Sequence, residues 1–100
     1  MMKIFISQPM NGKTEDEILK ARNDLIARAK AQFGEDVEIA DSYFGDFPVA
    51  KTKCPPLYFL SKSIMKLSEC DAVIFADGWQ NARGCIVERM ISSLYGIKII

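Results

Sequence analysis

Histidine is absent from all 100 residues of the chain. The commonest general acid–base side chain, also the commonest metal ligand, is therefore excluded. Any proton-transfer or covalent chemistry must rest on carboxylates, cysteine, lysine or tyrosine. Net charge is missing as well, since 13 acidic residues balance 13 basic ones. No global field draws the protein to nucleic acid or to an anionic membrane surface. No apolar run approaches the roughly 18–20 residues of a membrane-spanning helix, and no signal peptide is apparent. Cysteine is sparse: Cys54, Cys70 and Cys85 are odd in number and show no C-x-x-C spacing. That argues against a disulfide framework or a zinc site and fits a reducing cytoplasm, with each thiol buried or half-buried. The residues call for no metal and no redox cofactor.

What is present is ordinary globular composition, 49% hydrophobic and 26% charged. One domain over residues 1–100 is expected, burying roughly 65% of its extended surface. Lys3–Ile6 is a short β-prone run, followed by the turn-rich Ser7–Lys13. Thr14 and Glu17 form a capping box for a helix whose apolar positions are Ile18, Ala21, Leu25 and Ala29, widened by Leu19 and Ile26. Gly34 is its stop signal. Val37–Ala40 is a second strand, and Asp41–Cys54 is irregular and long for a connection in so small a domain. Pro55-Pro56 opens a helix carrying Leu57, Leu60, Ile64 and Leu67. Ala72–Ala76 is a third strand. The helix Gly84–Tyr95 should pack through Val87, Ile91 and Leu94, and Ile97–Ile100 is a fourth strand.

The alternation βαβαβαβ predicts an α/β fold with a parallel sheet, right-handed crossovers and strand order 2-1-3-4. That order puts the topological switch point between strands 1 and 3, so the loops Ser7–Lys13 and Asp77–Arg83 should line one pocket. Several site classes fall away. There is no G-x-G-x-x-G, and Gly12-Lys13-Thr14 lacks the earlier glycine of a P-loop. A cysteine phosphatase loop needs an arginine six residues after its cysteine, where this chain has Leu60, Ala76 and Ile91. A receiver domain wants an acidic pair after strand 1, where Ser7-Gln8 stands.

Glu88 is the first candidate for chemistry. A carboxylate can attack an anomeric carbon and form a glycosyl-enzyme intermediate; the alternative is a surface glutamate one residue off the apolar stripe. Gly78 and Gly84 would let a sugar approach the backbone closely. Asn11-Gly12-Lys13-Thr14, just before a helix, offers N–H groups, a hydroxyl and a lysine to a phosphate, or is simply a cap with a solvated lysine. Trp79, beside Asp77, either stacks on a nucleobase or covers the core edge. Asp41 and Tyr43 can reach the same mouth. Arg83 is an anion contact or a solvated residue, the latter disfavoured at a helix N-terminus.

Ile4–Thr14 (IFISQPMNGKT), Cys70–Val73 (CDAV), Gly78-Trp79, Arg83-Gly84-Cys85 and Glu88 together resemble the nucleoside 2-deoxyribosyltransferase-like superfamily. More narrowly they resemble its small DUF4406 branch of bacteria and phages. The resemblance to the branch covers almost the whole chain; that to the characterised enzymes is partial. It implies a Rossmann-like three-layer αβα domain acting on the N-glycosidic bond of a deoxynucleoside or its monophosphate. Glu88 then matches the nucleophile, Gly84 the glycine before it, and Ser7, Gln8, Pro9, Met10, Asn11 and Gly12 the segment under sugar and base. A cytoplasmic homo-oligomer binding a small nucleoside or nucleotide is expected, with no metal or other cofactor and no nucleic-acid or membrane partner. The sequence departs from the family at three positions. Ser63 stands where a second catalytic aspartate is expected, Phe5 where strand 1 often ends in tyrosine, and Ala82 where a polar residue precedes the nucleophile. Asp41, Asp46 or Asp77 would have to replace the lost acid. A non-catalytic nucleotide-binding or sensing module of the same fold is the alternative.

Overall fold

The computed structural model describes residues 2–10, 12–40 and 52–100. Asn11, Asp41, Tyr43 and Asp46 lie outside the described residues, as does most of the irregular segment after strand 2. The element order is β1 (Lys3–Ser7), α1 (Glu15–Phe33), β2 (Glu38–Ala40), α2 (Pro55–Leu67), β3 (Ala72–Phe75), a one-turn 3₁₀ helix (Trp79–Asn81), α3 (Arg83–Tyr95) and β4 (Lys98–Ile99). The four strands are parallel and ordered β2-β1-β3-β4, as the alternation predicts.

Strand alternation sorts the core into two layers. Ile4 and Ile6 of β1, with Ala72, Ile74 and Ala76, face Leu25 and Ala29 of α1. Phe5, Val73 and Phe75 face the other way, onto Leu67 of α2 and Cys85 of α3. Helices thus cover both faces, giving a Rossmann-like αβα sandwich. Ser7 continues the row of Phe5 and therefore points toward α3. No helix among the described residues is long and apolar enough to cross a membrane.

Three expected packing positions are exposed instead: Leu19 at 48%, Leu57 at 62% and Leu94 at 74%. A four-stranded sheet ending in the two-residue β4 is too narrow to cover wide helical stripes. The difference matters most in α3. Its buried residues are Cys85, Glu88 and Ser92, at i, i+3 and i+7; of the expected stripe Ile91 packs against the core and Val87 is half-buried, while Leu94 points out. The face that carries Cys85 and Ser92 also carries Glu88 inward. Glu88 is therefore on the buried stripe, not beside it.

Candidate active site

The strand exits set the site. Ala76 N–H donates to the Ser7 carbonyl at 2.9 Å, holding the C-terminal ends of β1 and β3 side by side. Beyond β3 the chain must turn sharply, and Gly78 takes a left-handed conformation (φ 87°) that a side chain would strain. The 3₁₀ turn then delivers Ala82 as the N-cap of α3. No side chain caps this helix, and its first turn holds no acidic residue. Its first N–H groups, which cannot bond within the helix, are left at the rim of the cleft. α2 likewise begins without a side-chain cap, at Cys54.

A cleft of about 1290 Å³ opens at this edge. Gln8, Pro9, Met10 and Lys13 line it from the β1 loop; Asp77, Gly78, Arg83, Gly84 and Glu88 line it from the β3 loop and α3; Leu57, Leu60 and Ser63 line it from α2. The two loops after β1 and β3 do share one pocket.

Glu88 is the buried carboxylate of its wall among the described residues. The residue is only 6% exposed, yet it reaches the cleft wall. Ser7 Oγ, itself buried, donates to Glu88 Oε1 at 2.6 Å. Burial pushes the Glu88 carboxyl up to about 7, against the opposing pull of the Ser7 hydroxyl. Near neutral pH it exchanges between acid and carboxylate. Cys85 lies one turn before it; burial raises that thiol, which keeps it a poor nucleophile. Ser92 Oγ donates back to the Glu88 carbonyl at 2.7 Å and is consumed within the helix.

Gln8 is the second unusual group. Its Nε2 donates to the Ile18 carbonyl at 2.9 Å, which fixes the amide orientation. Its Oε1 is buried and has no hydrogen-bond partner among the described residues. An orphaned acceptor of this kind costs about 1–3 kcal/mol until a donor reaches it.

The other predicted residues separate clearly. Ser7 does not line the cleft among the described residues; it stands behind Glu88. Gly12 is exposed with φ 78° and is also outside the lining. Trp79 is half-buried against Phe75 (ring centroids 5.7 Å apart), with the Arg89 guanidinium 4.5 Å from its ring centre. It covers the core edge, and it too is not among the lining residues. Among the described residues Lys13 and Arg83 are the cations of the cleft wall, Asp77 and Glu88 its anions. The α2 wall has no local sequence pattern: Leu57 and Leu60 lie on the apolar stripe of a helix, and Ser63 stands out only through the resemblance. The uncapped Cys54-Pro55-Pro56 start was the available signal. Among the described residues no cluster of His, Cys, Asp or Glu is arranged to hold a metal ion.

No curated protein and no solved structure matches the chain. The family model described as Domain of unknown function (DUF4406) matches residues 2–100, and the chain belongs to that family.

Proposed function

We propose that the protein is nucleoside 2-deoxyribosyltransferase-like and acts on the N-glycosidic bond of a deoxynucleoside or its monophosphate, with Glu88 as nucleophile. The observation that carries the reading is a buried carboxylate on the wall of a cleft at the topological switch point, gripped from behind by a serine. In the first step a Glu88 carboxylate oxygen bonds to C1′ and the C1′–N bond breaks. Its electron pair leaves with the base, which takes a proton from solvent. In the second step water, or the nitrogen of another base, bonds to C1′. The ester C–O bond breaks, its electron pair returns to Glu88, and the attacking group loses its proton to solvent.

Two further features suit a nucleoside. Lys13 and Arg83 can meet a 5′-phosphate at the rim, and Gln8 Oε1 accepts a hydrogen bond from a ligand hydroxyl or N–H. No metal or other cofactor enters these steps. Ser63 on the α2 wall favours a second reading, a nucleotide-binding or sensing module that retains the pocket without fast turnover, because serine cannot donate as an acid to the leaving base. A cytoplasmic homo-oligomer belongs to the same proposal. Ile86, Met90 and Leu94 form an exposed apolar row along α3 that suits a second copy of the chain, and light scattering tests this directly.

The deciding experiment incubates the protein with a panel of deoxynucleosides and monophosphates and separates released base by chromatography. Release by wild type and none by Glu88→Gln supports the enzyme. Release unaffected by Glu88→Gln contradicts it. Tight nucleotide binding with no release selects the sensor.

A further inference from the structure

We infer that Ser7 is a positioning residue for Glu88: its hydroxyl grips Oε1 from behind, so that Oε2 is the oxygen presented to the cleft. The inference rests on Glu88 being the reacting group, and its geometry can be read without turnover. Ser7 and Glu88 are 81 residues apart in sequence and both buried, joined by a 2.6 Å hydrogen bond. Only Glu88 of the pair reaches the cleft wall. That asymmetry decides between two roles. A serine–carboxylate pair at this distance is also the geometry of a nucleophile and its base. Ser7, sealed behind the carboxylate, cannot meet a substrate, so it serves the glutamate and not the reverse.

The two oxygens of Glu88 are not equivalent. Oε1 accepts from Ser7. Among the described residues Oε2 accepts no hydrogen bond, and it is the oxygen left to meet the cleft that Glu88 lines. A carboxylate held by one oxygen has lost the rotation that would let either oxygen attack, and that loss is made before substrate arrives. Strand geometry explains why position 7 supplies the hydroxyl. Positions 5 and 7 of β1 share a face, and Phe5 has no polar atom to offer.

The protonation of Glu88 follows from the same contact. Burial raises it, and the Ser7 hydroxyl opposes the rise by donating to the charged form. Cys85 faces it from α3, and Cys54, Lys13, Asp77 and Arg83 stand around the cleft. Removing the hydroxyl should therefore move the Glu88 titration upward.

The test is a ¹³C NMR titration of the Glu88 side-chain carboxyl in wild type, Ser7→Ala and Ser7→Thr, without substrate. Ser7→Ala should raise the midpoint by about one pH unit, a tenfold change in acid dissociation. Ser7→Thr, which keeps the hydroxyl, should restore it. In the wild-type protein the Ser7 hydroxyl proton should shift with the same midpoint, a reading that needs no variant to fold. On any active substrate, the acid limb of the rate profile should rise with the carboxyl, and kcat should fall more than KM in Ser7→Ala. An unchanged Glu88 midpoint in folded Ser7→Ala, or a Ser7 hydroxyl signal insensitive to the Glu88 titration, would overturn the inference. A shifted midpoint with no release from any deoxynucleoside supports the Ser7–Glu88 coupling and counts against the glycosidic reading alone.

Discussion

The starts of α1 and α3 solve the same problem in opposite ways. At α1, Thr14 accepts from the Glu17 N–H at 3.2 Å while Glu17 accepts from the Thr14 N–H at 3.0 Å. Three acidic residues occupy the first turn. Glu17 is fully exposed, and its hydrogen bonds to Thr14 hold its carboxyl below the usual value. At α3 there is no side-chain cap and no acid in the first turn, and the carboxylate comes further along, buried, with its pKa raised. The first helix is closed by its own side chains. The second leaves donors and an unstable charge at a cleft. Both helix starts lie at the same edge of the sheet, and the contrast between them is in how each treats its carboxylate, capped and exposed at α1, buried at α3.

The largest break in this contrast should come from Glu88→Gln. Its loss of any N-glycosidic turnover should exceed the roughly 10²–10⁴-fold assigned to a single acid–base group, because the amide is a far poorer nucleophile. The same variant should be more stable than wild type at pH 8, since it removes a buried charge and still accepts from Ser7.

Stability against pH sharpens the point. The Glu88 pKa rises from 4.5 to about 7 on folding. Its contribution is fully present below about pH 4.5 and is lost as pH rises through about 7. The loss is on the order of 3 kcal/mol. Glu17 has the opposite sign: lowered on folding, it stabilises above the ordinary carboxylate range and stops doing so as pH falls. Urea unfolding of wild type and Glu88→Gln between pH 4 and 8 should give stabilities that run together in acid, draw apart between about pH 4.5 and 7 and stay apart above it. Parallel curves would remove the buried-charge account.

Ser63→Asp adds a third carboxylate to the cleft, on its α2 wall. It should raise the rate on natural deoxynucleosides by about tenfold or more, and have less effect where the leaving base needs little protonation. Paired rates on the two substrate types check this. Thr14→Ala should cost about 1 kcal/mol of stability, read by thermal unfolding, and leave nucleotide affinity unchanged. Smallest is Gln8→Met, which keeps the length and removes the orphaned acceptor. Stability should change by under about 1 kcal/mol while nucleotide affinity, measured by calorimetry, falls several-fold.

Much of this was legible in the sequence for a physical reason. Strands buried on both faces and helices with caps carry local signals, so β1, the Thr14–Glu17 box, the Gly34 stop and the 2-1-3-4 order followed from pattern alone. The shared pocket followed from the order. The rotation of α3 did not. Val87, Ile91 and Leu94 form the more apolar stripe, but tertiary packing decides which face turns inward, and Cys85, Glu88 and Ser92 are buried while Leu94 stays exposed. The Ser7–Glu88 bond joins residues 81 apart and no local signal announces it. Trp79 could have gone either way; Phe75 and Arg89, both from structure beyond its own turn, hold it on the core edge.

The most direct test of the central claim is to trap the intermediate on Glu88. Wild-type protein is mixed with the deoxynucleoside monophosphate that releases base fastest, quenched in acid and digested, and its peptides are weighed. The expected result is a 5-phospho-2-deoxyribosyl adduct on the peptide containing Glu88, absent from Glu88→Gln. Base release with the adduct on another residue, or release that persists in Glu88→Gln, would contradict it.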